Sequence, residues 1–396
     1  MKTLHQSFSV TYSYPVIFTR DAFAGTNAAL VEVLAASGQK PHRVLPVVDA
    51  NLVLSSSGLL EKIERYGQDH PDILEFVRPP FIMRGGETSK NDPLEVEKLH
   101  ALTEKHHLCR HSFLLVIGGG AVLDAAGYAA ATAHRGIRLI RMPTTTLAQS
   151  DAGIGVKNGL NAFGRKNYLG TFAPPFAVIN DFTFLDTLSL RERRAGIAEA
   201  IKVSLIKDRA FFDDLHRERH KLAACDQETL EKTIVRCAEI HLGHISRGGD
   251  PFEYGTSRPL DFGHWAAHHL EEISQGGLNH GEAVAIGIAL DALYACHLGL
   301  ISELEWTKII QALEDVGFDL YHWALGWMDI AGALRSFQEH LGGELTVTLP
   351  AGIGEKTEVH EMDTALLRQC IETLQKRRKG TATGLDANIR PLMNIQ

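Results

Sequence analysis

The sequence predicts two domains: an α/β N-terminal domain with a Rossmann-like parallel sheet, followed by an all-α C-terminal metal-binding domain. Three observations lead there. Through about residue 181, short apolar runs alternate with helical ones and are separated by glycine turns, the rhythm of a doubly wound sheet. From about residue 184 glycine thins out and long Leu/Ala/Glu/Lys stretches take over. Within that second part, the run DFGHWAAHHLEEISQGGLNHGE gathers His264, His268 and His280. The expected bounds are 1–181 and 182–376, with 377–396 as a C-terminal extension whose role the sequence does not reveal.

Taken in order, MKTLHQSFSVTYSYPV alternates polar and apolar residues like a strand and lacks the apolar centre of a signal peptide. Residues 21–37 read as a helix with Ala and Leu on one face. The apolar strand RVLPVVDANL then ends in Asp49 and Asn51, where ligand-binding side chains sit in doubly wound sheets. FIMRGGETSKN repeats that logic, with Glu87 and Lys90 after a glycine turn. A helix over LEVEKLHALTEKHHL leads to the strongest cofactor signal. There Phe113–Ile117 form a buried strand, Gly118, Gly119 and Gly120 turn the chain, and a small-residue helix resumes from Asp124. Glycines let backbone amides approach a pyrophosphate at a helix N-terminus, whose dipole favours anions. The pattern is GGGxxxD and not GxGxxG, so a plain tight turn competes evenly with cofactor binding on this stretch alone.

After Arg135 and the strand IRLIRMP comes TTTLAQSDAGIGVKNGLNAFGRKNYLG, read as a long functional loop. Asp151, Lys157, Arg165, Lys166 and Asn167 are interleaved there with glycine. The cations suit a phosphate, and Asp151 suits a hydroxyl or the cofactor. The competing reading is a solvated surface loop.

The chain has 396 residues, 44% hydrophobic and 22% charged, enough for two cores. A net charge of −8 argues against nucleic-acid binding. Five scattered cysteines without a CxxC pair suit a reducing cytoplasm. No apolar run reaches the roughly 18 residues of a membrane span. The expectation is a cytoplasmic protein with a small-molecule substrate, no nucleic-acid partner and no membrane.

His264 and His268 stand one helical turn apart and share a face. A lone HxxxH is more often a pair of surface or satisfied core histidines than a metal site. His280, at the mouth of another helix, shifts that balance. So does Glu199, three residues before Lys202 in AGIAEAIK, because an inward carboxylate is costly unless paired or metal-bound. One Glu with two His would complete a zinc set with open positions.

The motifs GGGAVLDAAGYAAA, HRGIRLIRMPTTTLAQSDAGIGVKNGLN, GRKNYLG, AGIAEAIK, DFGHWAAHHLE and NHGEAVAIG occur in the order and spacing of the dehydroquinate synthase-like sugar phosphate cyclases. The chain resembles that family over roughly residues 45–300. The resemblance implies Glu199, His264 and His280 as metal ligands, with zinc or cobalt as the metal, and turns His268 into a catalytic or substrate-contacting histidine. It implies NAD contacts at Asp49, Asn51, Glu87, Lys90, Gly119, Gly120, Asp124, Thr144, Thr145, Asp151, Lys157 and Thr187. Substrate and phosphate contacts would fall to Arg135, Asp151, Lys157, Lys166, Asn167 and Lys202, and the protein would be a homodimer with its active site in the cleft between domains.

The implied reaction oxidises a hydroxyl of a heptulose phosphate with bound NAD, eliminates phosphate, returns the hydride and closes a carbocycle by an intramolecular aldol step. This chain departs from dehydroquinate synthases proper where a substrate carboxylate is gripped. A lysine, an arginine and an asparagine of that branch are Gly243, Ser257 and Asp261 here, with Arg258 one place off. The C-terminal DKK run is replaced by Gln338, Glu339 and His340. Asp261 would repel a carboxylate, which points to a substrate like sedoheptulose 7-phosphate. The alternatives are 3-dehydroquinate synthase itself, a metal-dependent polyol dehydrogenase of the glycerol dehydrogenase type, and a non-catalytic relative. The basic stretch from Lys157 to Asn167 argues against the second, since a simple alcohol needs no phosphate cradle.

Overall fold

The computed structural model describes residues 1–38 and 41–381. Most of the extension expected over 377–396 therefore lies outside the described residues. In chain order the elements are β1 (Val16–Thr19), α1 (Ala29–Ala35), β2 (His42–Asp49), α2 (Ala50–Ser55), α3 (Leu59–Asp69), β3 (Leu74–Phe76), β4 (Phe81–Met83), α4 (Thr88–Asn91), α5 (Pro93–Lys105), β5 (Phe113–Gly118) and α6 (Gly120–Thr132). They continue with β6 (Arg138–Pro143), β7 (Lys157–Ala162), β8 (Arg165–Phe172), β9 (Ala177–Asp181), α7 (Leu190–Lys207), α8 (Arg209–Ala223) and α9 (Gln227–Arg247). The remainder is α10 (His264–Ser274), α11 (His280–His297), α12 (Glu303–Val316), α13 (Trp323–Gly326), α14 (Ile330–Leu341), β10 (Val347–Pro350), β11 (Lys356–Val359) and α15 (Thr364–Thr381).

Two compact units result, and the division falls inside α7. The first comprises Met1–Ala200 and Ala224–Tyr254, so α9 belongs to it. Its parallel sheet runs β1-β9-β6-β5-β2-β3, with β4 also paired to β2. Parallel strands need both faces covered, and every residue of β5 is buried. The period of two divides its side chains between two cores. Phe113, Leu115 and Ile117 pack with Leu30, Leu34 and Ile63, while Leu114 and Val116 pack with Leu99, Val122 and Leu139.

The second unit comprises Ile201–Ala223 and the described residues from Gly255 onward. It is helical, as expected, with one small addition, the antiparallel hairpin β10–β11. Helix α11 is buried over nearly its whole length and packs against α10, α12 and α15. No described helix is long and apolar enough to cross a membrane.

Three local expectations change. The N-terminal alternation does not form a strand until Val16, because only Val16–Thr19 find a partner, in β9. Leu4, Phe8, Val10 and Tyr12 before it are exposed. The helix expected over 21–37 is confined to α1, because the Asp181 carboxylate accepts from the amides of Asp21 (3.0 Å) and Ala22 (2.7 Å) and holds that stretch in turns. The long loop after β6 is in fact a π-helical turn, Ala148–Ala152, followed by the hairpin β7–β8. Arg141 on β6 organises it. Its fully buried guanidinium donates to the carbonyls of Gly153 (3.2 Å), Gly155 (2.9 Å) and Lys157 (2.9 Å) and to Asn158 Oδ1 (2.6 Å).

Candidate functional site

In the first unit the candidate cofactor residues gather at the carboxyl ends of β2, β4, β5 and β6. Asp49 ends β2 and caps α2, accepting from Asn51 N at 2.8 Å. Burial raises its carboxyl above the ordinary range, while backbone amides of Asn51, Gly119 and Leu52 act the other way. Gly85 lies so close that a Cβ there would stand 2.1 Å from Asp49 Oδ1 and 2.5 Å from Asn51 Nδ2. Gly119 precedes the first turn of α6 and Gly120 opens it, so the α6 amides and dipole face the sheet's carboxyl edge. Thr144 N donates to Gly118 O (3.1 Å), and Thr145 Oγ1 accepts from Ala148 N (3.1 Å). Thr187 instead donates its hydroxyl to Phe184 O within a 3₁₀ turn after β9.

A second polar group forms where α4, α6 and the β7–β8 hairpin meet. The Lys90 ammonium, buried, donates to Asp124 Oδ2 at 2.7 Å and to Asn167 Oδ1. Glu87 faces Lys166 Nζ at 3.8 Å and accepts from Asn161 Nδ2 at 2.9 Å. Asn161 also donates to Asn91 (2.7 Å) and accepts from Asn167 N (2.9 Å). Asn161 and Asn91 carry no local sign of this role, since an Asn in a hairpin or at a helix end reads as turn or cap chemistry. Arg135 is exposed in a positive-φ turn beyond α6.

Asp151 lies in the π-helical turn, and its Oδ1 is 2.7 Å from Nδ1 of His241 on α9. Lys157 Nζ pairs with Glu253 at 2.7 Å, while its carbonyl is one of the oxygens held by Arg141. His241 and Glu253 carry no sequence signal, because nothing local marks a helix residue that will face a distant turn.

The histidine stretch unfolds as two helices. Gly263 takes a left-handed conformation (φ +77°), and α10 begins at His264. His268 follows one turn later, its ring 5.3 Å from that of His264. Asn279 and Glu282 form a capping box, so α11 begins at His280. Glu199, Lys202 and His264 are buried, and His280 is partly so. One ligand atom each from Glu199, His264 and His280 lie within 4.8 Å of one another. His268 stands outside that group.

Each of these two imidazoles has a partner for its Nδ1. His264 Nδ1 is 3.1 Å from Phe262 O, and His280 Nδ1 is 3.3 Å from Glu271 Oε2. Both partners accept, which favours the tautomer with the proton on Nδ1 and the lone pair on Nε2, the atom that can then ligate a metal. A buried carboxylate and two such imidazoles fit a divalent ion with open positions. Glu271 was missed, although its place in HHLEE, one turn after His268, is the kind of signal that marks a carboxylate supporting a histidine. Burial, with His264 next to it, pushes the His268 imidazole down to about 3. Its neutral form is favoured by that burial.

The sequence model for the 3-dehydroquinate synthase N-terminal domain matches residues 80–195, and that for the C-terminal domain matches residues 196–338. The chain is 32% identical over 365 residues to a 2-epi-5-epi-valiolone synthase of Actinoplanes sp. strain SE50/110, covering 90% of this chain and 89% of that one. It is 34% identical over 302 residues to the 3-dehydroquinate synthase of Alkaliphilus metalliredigens, covering 76% and 84%. Among solved structures, the 2-epi-5-epi-valiolone synthase of Streptomyces hygroscopicus subsp. jinggangensis, with NAD+ and Zn2+ bound, superposes with a TM-score of 0.85. The two are 28% identical, and the match covers 94% of this chain and 100% of that one.

Proposed function

The chain belongs to the 3-dehydroquinate synthase family, and we propose that it is a sugar phosphate cyclase acting on a heptulose phosphate that lacks a carboxylate, of the sedoheptulose 7-phosphate kind. It is a phosphate-eliminating carbon–oxygen lyase that uses NAD and zinc or cobalt to make a cyclitol of the valiolone type. A cytoplasmic setting and a homodimer belong to the same reading, the dimer by likeness alone.

When bound, the metal supplies Lewis acidity to substrate oxygens and NAD supplies a transient hydride acceptor. Glu199 and the Nε2 atoms of His264 and His280 hold the metal. Glu271 and Phe262 O keep each imidazole in the tautomer that can do so. Lys202, buried one turn along α7 from Glu199, steadies developing oxyanions. His268, one turn after His264 on α10, is assigned to a substrate hydroxyl. Asp49, Asn51, Glu87, Lys90, Gly119, Gly120, Asp124, Thr144, Thr145 and Thr187 are assigned to NAD. Asp151 and Lys157 orient both cofactor and substrate, and Lys166 and Asn167 take the leaving phosphate. Arg135, exposed in the turn after α6, is assigned to the same phosphate.

The observation that carries the substrate class is Asp261. It lies three residues before His264, close enough to His268 for its charge to favour the protonated imidazole. Nearby, Ser257 donates to Glu358, and Lys356 is itself paired with Glu358 at 2.5 Å. A substrate carboxylate placed there would meet the charge of Asp261 where dehydroquinate synthases carry an amide, and would find neutral Gly243 and Ser257 in place of their two cations. The dehydroquinate synthases among its relatives favour a second reading, 3-dehydroquinate synthase itself.

Phosphate release from the purified protein with NAD and zinc or cobalt tests both. Release from sedoheptulose 7-phosphate, and not from the heptulosonate phosphate of the shikimate pathway, is the expected result. Turnover of the carboxylated substrate would overturn the reading of Asp261. Steady NADH accumulation without phosphate release would indicate a polyol dehydrogenase.

A further inference from the structure

Helix α10 starts at His264, so its first turn has backbone N–H groups that the helix itself cannot satisfy. Asp291, on α11 and fully buried, lies against that turn. Its Oδ2 accepts from Gly263 N at 3.1 Å, and its Oδ1 accepts from the indole Nε1 of Trp265 at 2.8 Å. The carboxylate therefore grips the residues on either side of His264. The two helices also touch backbone to backbone beside it. A Cβ on Gly287 would fall 2.0 Å from Gly263 O, and one on Gly263 would fall 2.9 Å from Ile288 N. Trp265, next to His264 in the chain, is only 2% exposed.

A carboxyl group in this setting is expensive. Burial pushes it up to about 7, against the lowering effect of its two donors. Packing alone would be served better by an aliphatic side chain of similar size. Its cost is explained if the group determines geometry. Helix α11 begins with His280 and carries Asp291 further along, so one element both supplies one candidate histidine ligand and holds the helix that supplies the second.

We propose that Asp291 is a positioning residue for the metal centre, setting through Gly263 N–H and the Trp265 indole the height and rotation of α10 at which His264 faces Glu199 and His280. This rests on the metal reading above.

The test uses the full-length apoprotein and cobalt alone. Chelator competition gives affinity, visible absorption reports the ligand field, and a melting curve reports the fold without metal. D291A is expected to weaken cobalt binding about 10–100-fold and to shift the absorption bands, the usual effect of losing a group that orients a ligand. D291N, keeping one acceptor oxygen, and Trp265→Phe, losing one donor, are expected to fall between D291A and wild type. Wild-type affinity and bands in D291N and W265F would overturn the proposal, whatever their melting temperatures, and they decide it by themselves should D291A not fold. Failure of the metal reading looks different: H264A would then bind cobalt as tightly as wild type.

Discussion

Asp151 and His241 meet at 2.7 Å, joining the π-helical turn after β6 to helix α9. The contact fixes the carboxylate proposed to orient cofactor and substrate. His241→Gln is expected to lower kcat/KM for phosphate release about tenfold, the worth of one polar contact to a charged group. D151N and the D151N/H241Q double variant should be nearly equal in activity. Additive losses in that double-mutant cycle would show that His241 does not act through Asp151.

Glu271 supports His280 as Phe262 O supports His264. Glu271→Gln is expected to weaken zinc about 10–100-fold, while Glu199→Gln, His264→Ala and His280→Ala should abolish stoichiometric zinc in the purified protein. Metal content by elemental analysis checks this directly, and unchanged zinc in H280A would remove His280 from the centre.

Asp291 makes stability depend on pH in a defined direction. Its carboxyl is raised from 3.8 to about 7 in the folded protein, so the folded state binds the proton more tightly than the unfolded chain. That contribution is fully present below about pH 4 and is lost as pH rises through about 7, a span on the order of 4 kcal/mol by linkage. Melting temperatures of D291N should therefore compare better with wild type at pH 8 than at pH 5. Parallel curves for the two proteins across that range would contradict the assignment.

Arg141 holds four oxygens from inside the first unit. Arg141→Met strands those acceptors in a buried place and is expected to cost about 3 kcal/mol or more. Arg141→Lys keeps the charge without the planar fork and should recover only part of it. Urea denaturation reads the loss. A change below about 1 kcal/mol would mean that water or rearrangement satisfies those carbonyls.

The parallel sheet was legible because its strands are continuous apolar runs bounded by glycine turns, and β5 with Gly118–Gly120 is the plainest case. The histidine-bearing helices were legible too, since Gly263 and the Asn279–Glu282 capping box punctuate them locally. Local pattern failed where a distant side chain decided the outcome. The segment from Thr144 to Gly170 looked like a loop because its polarity is visible and its organiser, Arg141, resembles any other residue of a strand. The stretch after Asp21 looked helical because the carboxylate that holds it in turns, Asp181, is far away in sequence.

For the site the division is similar. Residue order and spacing alone determined the family, the candidate ligands and the glycine turn at the head of α6, because motifs record which chemical groups are available. Tertiary structure decided which groups meet: Asp151 with His241, Lys90 with Asp124 and Asn167, His280 with Glu271, and Asp291 with the two residues around His264. Each of these pairings depends on angles and distances between separately formed elements. Apart from Glu271, whose place in HHLEE is a local sign, these residues share no local period, so no spacing along the chain encodes their contacts.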